Sequence, residues 1–340
     1  MKIENEQQLE EQMTRPTEAD VEVMRRLSGD VLLLGVGGKM GPTLAQLIRR
    51  AADAAGSKAR VIGVARFSDK GLPNALRAHG IESIACDLLE PEQLAALPDA
   101  ENVIFMAARK FGTTGAEHMS WAINTQLPAL VARRYRHSRI ACFSSGNVYP
   151  LMPAIQGGAD EKTPVAPKGE YAQSVLGRER VFEHASHRWG TRVALLRLNY
   201  AIDLRYGVLV DIARAVFERR AVDVRMPLVN VMWQGDANSV CLRSLEHCSS
   251  PPFVLNLTGP ETLSTRWIAE QFALRFGHAA EFSGEESTHA LLNNAAKCHQ
   301  MFGYPTVSVG EMMDWIAEWI VQGGALSNKP THFQTQDGKF

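Results

Sequence analysis

The chain has 340 residues, of which 45% are hydrophobic, so it is long enough for one large domain or two interleaved domains with packed cores. Its 36 lysine and arginine residues nearly balance its 37 acidic residues, which argues against nucleic acid or an anionic membrane as a partner. Five scattered cysteines are typical of reduced thiols in a cytoplasmic protein, and no apolar run is long enough to cross a bilayer.

Residues 1–28 are predicted to form an N-terminal extension with one helix, capped by Thr17 with Asp20 three residues later. From residue 29 onward, amphipathic stretches alternate with short apolar segments, namely "DVLLLGV", "RVIGVA", "NVIFMAA", "RIACFSS" and "RVALLRL". Buried strands that alternate with helices indicate βαβ units. We therefore predict an α/β fold with a doubly wound parallel sheet of the Rossmann type.

The last third of the chain is mostly helical and is predicted to form a smaller substrate lobe over the carboxyl edge of the sheet. A late strand candidate, "PFVLNLTG", returns to the sheet. The predicted Rossmann domain comprises residues 29–200 and 229–257. The predicted lobe comprises residues 201–228 and 258–325, and a C-terminal tail covers residues 326–340.

A glycine-rich turn, "GVGGKMG", follows the first strand and opens the next helix. Such a turn lets the backbone approach a pyrophosphate, and the helix N-terminus offers N–H groups and the positive end of a dipole. The alternative is a turn that is merely tight. The residues predicted to form this phosphate loop are Gly35, Gly37, Gly38, Lys39, Met40 and Gly41.

The end of the second strand bears on which nucleotide binds. NAD sites tend to have an acidic residue there, whereas this chain has Ala65 followed by Arg66 and Ser68. A guanidinium beside a hydroxyl suits a 2′-phosphate, so NADP is favoured and NAD is possible; the alternative is a solvated surface arginine. Asp87, after the third strand, either accepts a hydrogen bond from the adenine amine or caps the next helix.

Further motifs follow the phosphate loop in order, and they are "CDL" at 86–88, "MAA" at 106–108, Asn124, "FSSGNVYP" at 143–150 and "YAQSVLGRE" at 171–179. With the glycine pattern, they resemble the extended short-chain dehydrogenase/reductase superfamily, in its NAD(P)-dependent epimerase/dehydratase branch. The resemblance runs from about Asp30 to about Gln322. It implies further cofactor contacts at Leu88, Met106, Ala107, Ala108, Asn124 and Tyr171, and a homodimer built from the helices that carry Asn124 and Tyr171.

The resemblance also implies the catalytic residues. Ser145 would hydrogen-bond the reacting oxygen of the substrate, and Tyr171 would move its proton. The lysine that follows this tyrosine by four residues in the family is Val175 here. Lys110, with Arg109 as the fallback, is expected to supply the missing cation from the loop after the fourth strand, unless both are solvated loop charges. Lys168 and Arg178 are further candidates.

The expected small-molecule substrate is a sugar, a sugar acid or a related polyol. The candidate substrate residues are Ser145, Asn147, Asn199, Arg205 and Trp233. An arginine at position 205 suits a carboxylate or phosphate, and its alternative is a surface ion pair. His184 and His187 lack a third ligand in the sequence nearby, so no metal site is predicted. The alternative function is an inactive, NADP-sensing regulatory protein of the same fold.

Overall fold

The computed structural model describes residues 2–110, 115–327 and 329–338. Its centre is a seven-stranded sheet with the order β12-β7-β5-β4-β1-β2-β3, in which every neighbouring pair is parallel. These strands are β1 (Val31–Leu34), β2 (Val61–Ala65), β3 (Glu82–Ala85), β4 (Asn102–Phe105), β5 (Arg139–Ser145), β7 (Arg192–Leu198) and β12 (Phe253–Leu257). The predicted doubly wound sheet is confirmed, and the strand order reverses between β1 and β4, where open sheets of this kind bind ligands.

Short strands pair outside this sheet, mostly in the smaller lobe. They are β6 (Met152–Pro153), β8 (Ala201–Ile202), β9 (Val222–Asp223), β10 (Leu228–Val229), β11 (Met232–Trp233), β13 (Leu263–Ser264), β14 (Phe282–Ser283) and β15 (His289–Ala290).

Helices cover both faces of the sheet, so every residue of β1 and β4 is buried. These strands are therefore largely apolar runs and do not alternate between apolar and polar residues. The helices are α1 (Glu6–Thr14), α2 (Glu18–Arg26), α3 (Gly41–Ala55), α4 (Leu72–Ala78), α5 (Pro91–Ala95), α6 (Glu117–Trp121), α7 (Leu127–Arg134), α8 (Gly169–Trp189), α9 (Val208–Phe217), α10 (Gln234–Ser244), α11 (Thr265–Phe276), α12 (Ala296–Phe302) and α13 (Val309–Val321). A π-helical segment, Ala122–Gln126, joins α6 to α7.

The N-terminal extension contains two helices, and not the single helix that was predicted. The capping box of α2 is confirmed, since Thr17 and Asp20 exchange side-chain and backbone hydrogen bonds. The additional helix, α1, begins after Asn5 and buries two apolar residues, Leu9 and Met13, together with Thr14. With so few apolar positions, α1 has almost no amphipathic pattern to reveal it in the sequence.

Helix α1 bridges the sheet domain and the smaller lobe. Glu11 of α1 pairs with Arg50 of α3 at 2.8 Å, and Glu6 pairs with Arg205 at 3.2 Å. The Gln322 amide, just beyond α13, donates to the carbonyl oxygen of Ile3 at 3.1 Å. The extension therefore holds parts of the chain that are far apart in sequence.

The core of the smaller lobe is formed by α9, α11 and α13 with the short strands around them. In the described part of the chain, no helix is both long enough and apolar enough to span a bilayer.

Candidate cofactor and catalytic site

The phosphate loop contains two positions at which only glycine fits. Gly35 has φ +98°, and a Cβ there would lie 2.6 Å from the backbone nitrogen of Ala107. A Cβ on Gly41 would lie 2.1 Å from the carbonyl oxygen of Val36. The first glycine therefore brings β1 close to the end of β4, and the second lets α3 start directly beneath the turn.

The same loop leaves a cradle for an anion. A Cβ on Gly38 would meet its nearest neighbour, the carbonyl oxygen of Gly35, only at 3.5 Å. The residue before α3 is Met40, a thioether and not a capping hydroxyl or carboxylate, so its side chain does not satisfy the first N–H groups of the helix. A backbone cradle at a helix N-terminus fits the pyrophosphate of a dinucleotide.

A cavity of about 290 Å³ continues from this loop along the ends of β2, β3 and β4. Phe67 has φ +51° and is buried, whereas Arg66 and Ser68 on either side of it are exposed at the cavity. Other lining residues are Gly35, Gly37, Gly38, Asp69, Asp87, Leu88, Met106, Ala107 and Ala108. The size and position of this cavity fit the adenosine half of the cofactor.

Two carboxylates line the cavity. Asp87 Oδ1 accepts a hydrogen bond from the backbone of Leu89 at 3.1 Å, so the carboxylate caps its own turn, while α5 begins later, after Glu90. Asp69, which the sequence analysis missed, accepts a hydrogen bond from the backbone of Gly71 at 2.8 Å before α4. The adenine contact of Asp87 stays a prediction.

Ser145 and Tyr171 lie together at the carboxyl edge of the sheet. Ser145 is the last residue of β5, Tyr171 lies in the first turn of α8, and the Ser145 hydroxyl is close enough to the Tyr171 phenol to affect its pKa. Both residues are only 8% exposed. Burial raises the pKa of Tyr171, while the positive charge of Arg178 and the hydrogen bond with Ser145 act in the opposite direction.

The position of the family's lysine is apolar and enclosed. Val175 is buried one turn after Tyr171, in a small cluster with Val148, Tyr149 and Ala159. Lys110 approaches Tyr171 from another direction, because its ammonium lies 5.9 Å from the centroid of the tyrosine ring. Burial lowers the pKa of Lys110 to about 8, and the charge of Asp211 opposes that shift.

Asn124 ties the loop after β4 to the helix that carries Tyr171. Its amide accepts a hydrogen bond from the backbone of Arg109 and donates to the Arg109 carbonyl and to Ser174 Oγ, all at 3.0 Å. The Arg178 guanidinium is buried and donates to Asn124 Oδ1 at 2.9 Å and to the Phe143 carbonyl at 2.7 Å. Arg178 therefore packs behind Tyr171 and supports the loop that contains Lys110.

The side chain of Lys39 enters the catalytic cleft, which the sequence analysis did not predict. Its ammonium donates to the carbonyl oxygen of Ala201 at 3.0 Å and lies 4.3 Å from the centroid of the Tyr206 ring. Lys39 as a whole residue is exposed, whereas the hydrogen bond of its ammonium to Ala201 is partly buried. Desolvation of the ammonium lowers the pKa of Lys39 to about 8, while Asp203 opposes the shift and Arg205 adds to it.

A buried ion pair lies behind Ser145 and Tyr171, and no local sequence pattern predicts it. Glu179 of α8 accepts two hydrogen bonds from Arg197 of β7, at 3.0 and 2.8 Å. The same glutamate accepts from Ser144, and Arg197 also donates to Tyr149 Oη at 2.6 Å. Burial opposes the charge of Arg197, but the hydrogen bonds to Glu179 prevail and raise its pKa. The pair fixes α8 against the end of β5.

The substrate candidates fall in different places. Asn147 lies beside Ser145 and donates to its Oγ from the backbone at 3.2 Å and from the side chain at 3.3 Å. Asn199 is buried, and its amide donates to the Leu291 carbonyl at 3.4 Å. Arg205 is held by Asp203 and Glu6, which corresponds to the ion-pair alternative. Trp233 is 1% exposed and packs against Trp315 in the core of the lobe, away from a substrate surface.

Larger cavities open elsewhere. One of about 730 Å³ lies at the amino edge of β4 and β5, opposite the edge where parallel sheets bind their ligands. Another, of about 440 Å³, lies between α9 and the segments 326–327 and 329–334. Within the described ranges, no three His, Cys, Asp or Glu residues are grouped to hold a metal ion.

Comparison with known proteins places this architecture among dinucleotide enzymes. No curated protein matches the chain in sequence. The dTDP-glucose 4,6-dehydratase of Bacillus anthracis str. Ames, solved with NAD, has a TM-score of 0.73 and 14% identity, over 87% of this chain and 97% of that chain. The UDP-glucose 4-epimerase of Thermotoga maritima, solved with UDP-glucose, has a TM-score of 0.70 and 14% identity, over 86% and 99%.

A mutant UDP-glucuronic acid 4-epimerase of Bacillus cereus, solved with NAD and UDP-4-deoxy-4-fluoro-glucuronic acid, has a TM-score of 0.70 and 16% identity, over 86% and 99% of the two chains. At such identities these structures share the fold. The model of the NAD dependent epimerase/dehydratase family matches residues 31–201, the half of the chain that contains the phosphate loop, Ser145 and Tyr171. The chain is an NAD(P)-dependent enzyme and belongs to the NAD dependent epimerase/dehydratase family.

Proposed function

We propose that this enzyme is an oxidoreductase, epimerase or dehydratase that acts on a sugar, sugar acid or sugar nucleotide by hydride transfer. In this proposal Tyr171 and Ser145 carry out the accompanying proton transfer. The observation that carries the proposal is that the Ser145 and Tyr171 side chains lie together at the carboxyl edge of β5. Structures of similar fold hold NAD and UDP-linked sugars, which supports the same classes of cofactor and substrate.

In this proposal a bound dinucleotide supplies the hydride acceptor or donor. Ser145 hydrogen-bonds the substrate oxygen, and Tyr171 removes the proton from that oxygen during oxidation and returns it during reduction. Asn147, which donates to Ser145, orients the serine hydroxyl. Because both hydroxyls are almost completely buried, bulk water does not compete for the proton.

Lys110 supplies the positive charge near Tyr171 that a lysine supplies in the family. Val175, which occupies the position of that lysine, cannot supply it. A free phenol with a pKa near 10 is only about one part in a thousand ionised at neutral pH. A positive charge near the ring favours the ionised phenol and so opposes the effect of burial on the pKa of Tyr171. The approach of the Lys110 ammonium to the Tyr171 ring supports this role.

We further propose that NADP is preferred, with NAD as the second cofactor. Arg66 and Ser68 flank the cavity at the end of β2, where a guanidinium and a hydroxyl suit a 2′-phosphate. The proposed assembly is a homodimer through α6, α7 and α8, and the partly exposed Trp121 on α6 supports a contact on that face.

Replacing Tyr171 by phenylalanine tests the catalytic assignment. The Tyr171→Phe protein keeps the ring but lacks the hydroxyl, so turnover of sugars or sugar acids should fall by on the order of a hundredfold or more. Cofactor binding, followed by fluorescence titration, should survive. Tyr304→Phe is the matched control, because Tyr304 is 74% exposed and lies far along the chain from the site.

Full activity in Tyr171→Phe would remove Tyr171 from the mechanism. Tight cofactor binding without turnover of any sugar, sugar acid or sugar nucleotide by the unmodified enzyme would favour the sensing alternative.

A further inference from the structure

The C-terminal segment Thr331–Gly338 runs across the catalytic cleft from the smaller lobe to the helix that carries Tyr171. At its start, Thr331 donates from its backbone and its hydroxyl to Asp211 of α9, at 2.8 and 2.6 Å. The Lys110 ammonium donates to the Thr331 carbonyl at 3.5 Å. Phe333, two residues on, is 7% exposed and packs into the core of the lobe. The segment is therefore anchored beside the proposed catalytic cation.

The other end of the segment is pressed against the start of α8. A Cβ on Gly169 would lie 2.2 Å from the carbonyl oxygen of Gly338, and both glycines have positive φ, +82° and +78°. Between the anchors, the Gln336 amide donates to the Arg225 carbonyl at 2.6 Å. The segment thus spans the cleft as a fixed wall.

This wall borders an open cavity of about 330 Å³, which Asn147 connects to Ser145 through its amide. Asn147, whose amide reaches Ser145 Oγ, and Lys168, three residues before Tyr171, line one side. Thr335 and Gln336 of the segment line the other. A cavity of about 330 Å³ is at the small end of the range of roughly 300–1,000 Å³ for ligand pockets, which suits one monosaccharide. A sugar nucleotide adds a nucleoside and a diphosphate and is several times larger.

The chemical groups that line the cavity also suit a monosaccharide. Asn147, Thr335 and Gln336 offer amide and hydroxyl groups for sugar hydroxyls, and Pro150 and Leu291 offer an apolar face for C–H groups. Among the described residues of the lining, Lys168 carries the single charge. One cation pairs with one carboxylate, whereas a diphosphate brings two negative charges.

We propose that the segment Thr331–Gly338 forms one wall of the substrate pocket and restricts the substrate to a free monosaccharide acid whose carboxylate contacts Lys168. This inference rests on the proposed function, because it places the substrate beside Ser145 and Tyr171. It narrows that function by excluding sugar nucleotides. The larger cavity of about 440 Å³ lies on the other side of the segment, lined by Pro330 and Phe333, and it is not the substrate pocket.

The test is calorimetric titration of the NADP-loaded enzyme with D-gluconate, D-galactonate, D-glucuronate, neutral D-glucose and UDP-glucuronate. At least one free acid should bind at least tenfold more tightly than glucose and UDP-glucuronate. Lys168→Met should weaken binding of that acid at least tenfold, and Lys168→Arg should restore part of the loss. Lys162→Met, an exposed charge in the same loop, is the matched control and should change nothing.

A second pair of variants tests the wall itself. Gln336→Trp fills the cavity and should abolish binding of the acid while cofactor binding is kept. Ser327→Trp adds the same bulk to the cavity on the other side of the segment and should leave binding unchanged. A chain that ends at Gln334 keeps the Thr331 and Phe333 anchors, loses the wall, and should bind the acid at least tenfold more weakly.

The proposal is overturned if no free acid binds, if UDP-glucuronate binds more tightly than the free acids, or if Gln336→Trp leaves binding unchanged. The titrations are repeated with Tyr171→Phe, in which turnover is expected to be at least a hundredfold slower, so that binding is measured apart from turnover and the proposed function fails separately. If a free acid binds as expected but its turnover survives in Tyr171→Phe, the substrate class stands and the catalytic assignment falls.

Discussion

Arg66 and Ser68 flank the buried Phe67, and this places a guanidinium and a hydroxyl at one corner of the nucleoside cavity. If they hold a 2′-phosphate, NADP should bind at least tenfold more tightly than NAD, a difference of about 1.4 kcal/mol. Arg66→Ala should remove most of that gap in fluorescence titrations. Arg77→Ala, an exposed arginine on α4, is the control. Equal affinities of the unmodified protein for both cofactors would end the NADP assignment, and Asp69 at the same corner would explain such a result.

Lys110 leads to a prediction about pH dependence. Its pKa is lowered to about 8, so it is charged at pH 7 and loses its charge as the pH rises through 8. Lys110→Met should therefore lower the rate of substrate oxidation by about tenfold or more at pH 7, because the phenol is then harder to ionise. The rates of the two proteins should converge above pH 8, and the profile of the variant should move to higher pH.

The matched control for Lys110→Met is Lys58→Met, since Lys58 is an exposed lysine after α3. Identical pH profiles for the unmodified, Lys110→Met and Arg109→Met proteins would contradict the proposed cation. Lys39, whose ammonium lies in the same cleft, would then be the group to replace next.

At the level of elements, the position of α8 depends on the buried pair of Glu179 and Arg197. Glu179→Gln leaves a buried guanidinium without its counter-charge, so the free energy of unfolding should fall by about 3–5 kcal/mol. Urea denaturation followed by circular dichroism measures this loss. Glu183→Gln, which breaks the exposed pair of the same helix with Arg180, should cost less than about 1 kcal/mol.

The double variant Glu179→Leu with Arg197→Met separates pair formation from packing. Removing both charges avoids the uncompensated guanidinium, so this protein should be more stable than the sum of the single losses implies. Additive losses would show that the two side chains contribute to the fold independently.

The elements themselves were largely predictable from the sequence. Apolar runs between amphipathic stretches predicted the parallel strands, and α3 begins at the glycine-rich turn as predicted, with Pro42 in its first turn and Gly56 at its C-terminal end. The juxtaposition of Ser145 with Tyr171 was also predictable, since both follow known positions in a family motif. The direction of the Lys39 side chain and the pairing of Glu179 with Arg197 were not, because each depends on a contact between separate elements.

On the scale of the whole molecule, contacts of the chain termini escaped prediction. Helix α1 has two buried apolar residues, and among the described residues of the tail Phe333 is the one buried aromatic, so neither segment shows a periodic pattern. Both segments are placed by long-range contacts with α3, α9 and α13 or its neighbours. Local sequence patterns carry information about neighbours along the chain, and these contacts lie outside that range.

The bridge made by α1 has a consequence for the order of folding. The hydrogen bond between Ile3 and Gln322 joins residues 319 positions apart. At a synthesis rate of roughly 5–20 residues per second, α1 leaves the ribosome on the order of tens of seconds before its partner beyond α13 exists. During that interval Leu9 and Met13 lack the lobe that later buries them. The surrounding residues include three acidic side chains, Glu6, Glu10 and Glu11, which keep α1 hydrated until its partners have been synthesised. We expect the packing of α1 against the rest of the protein to be among the last steps of folding.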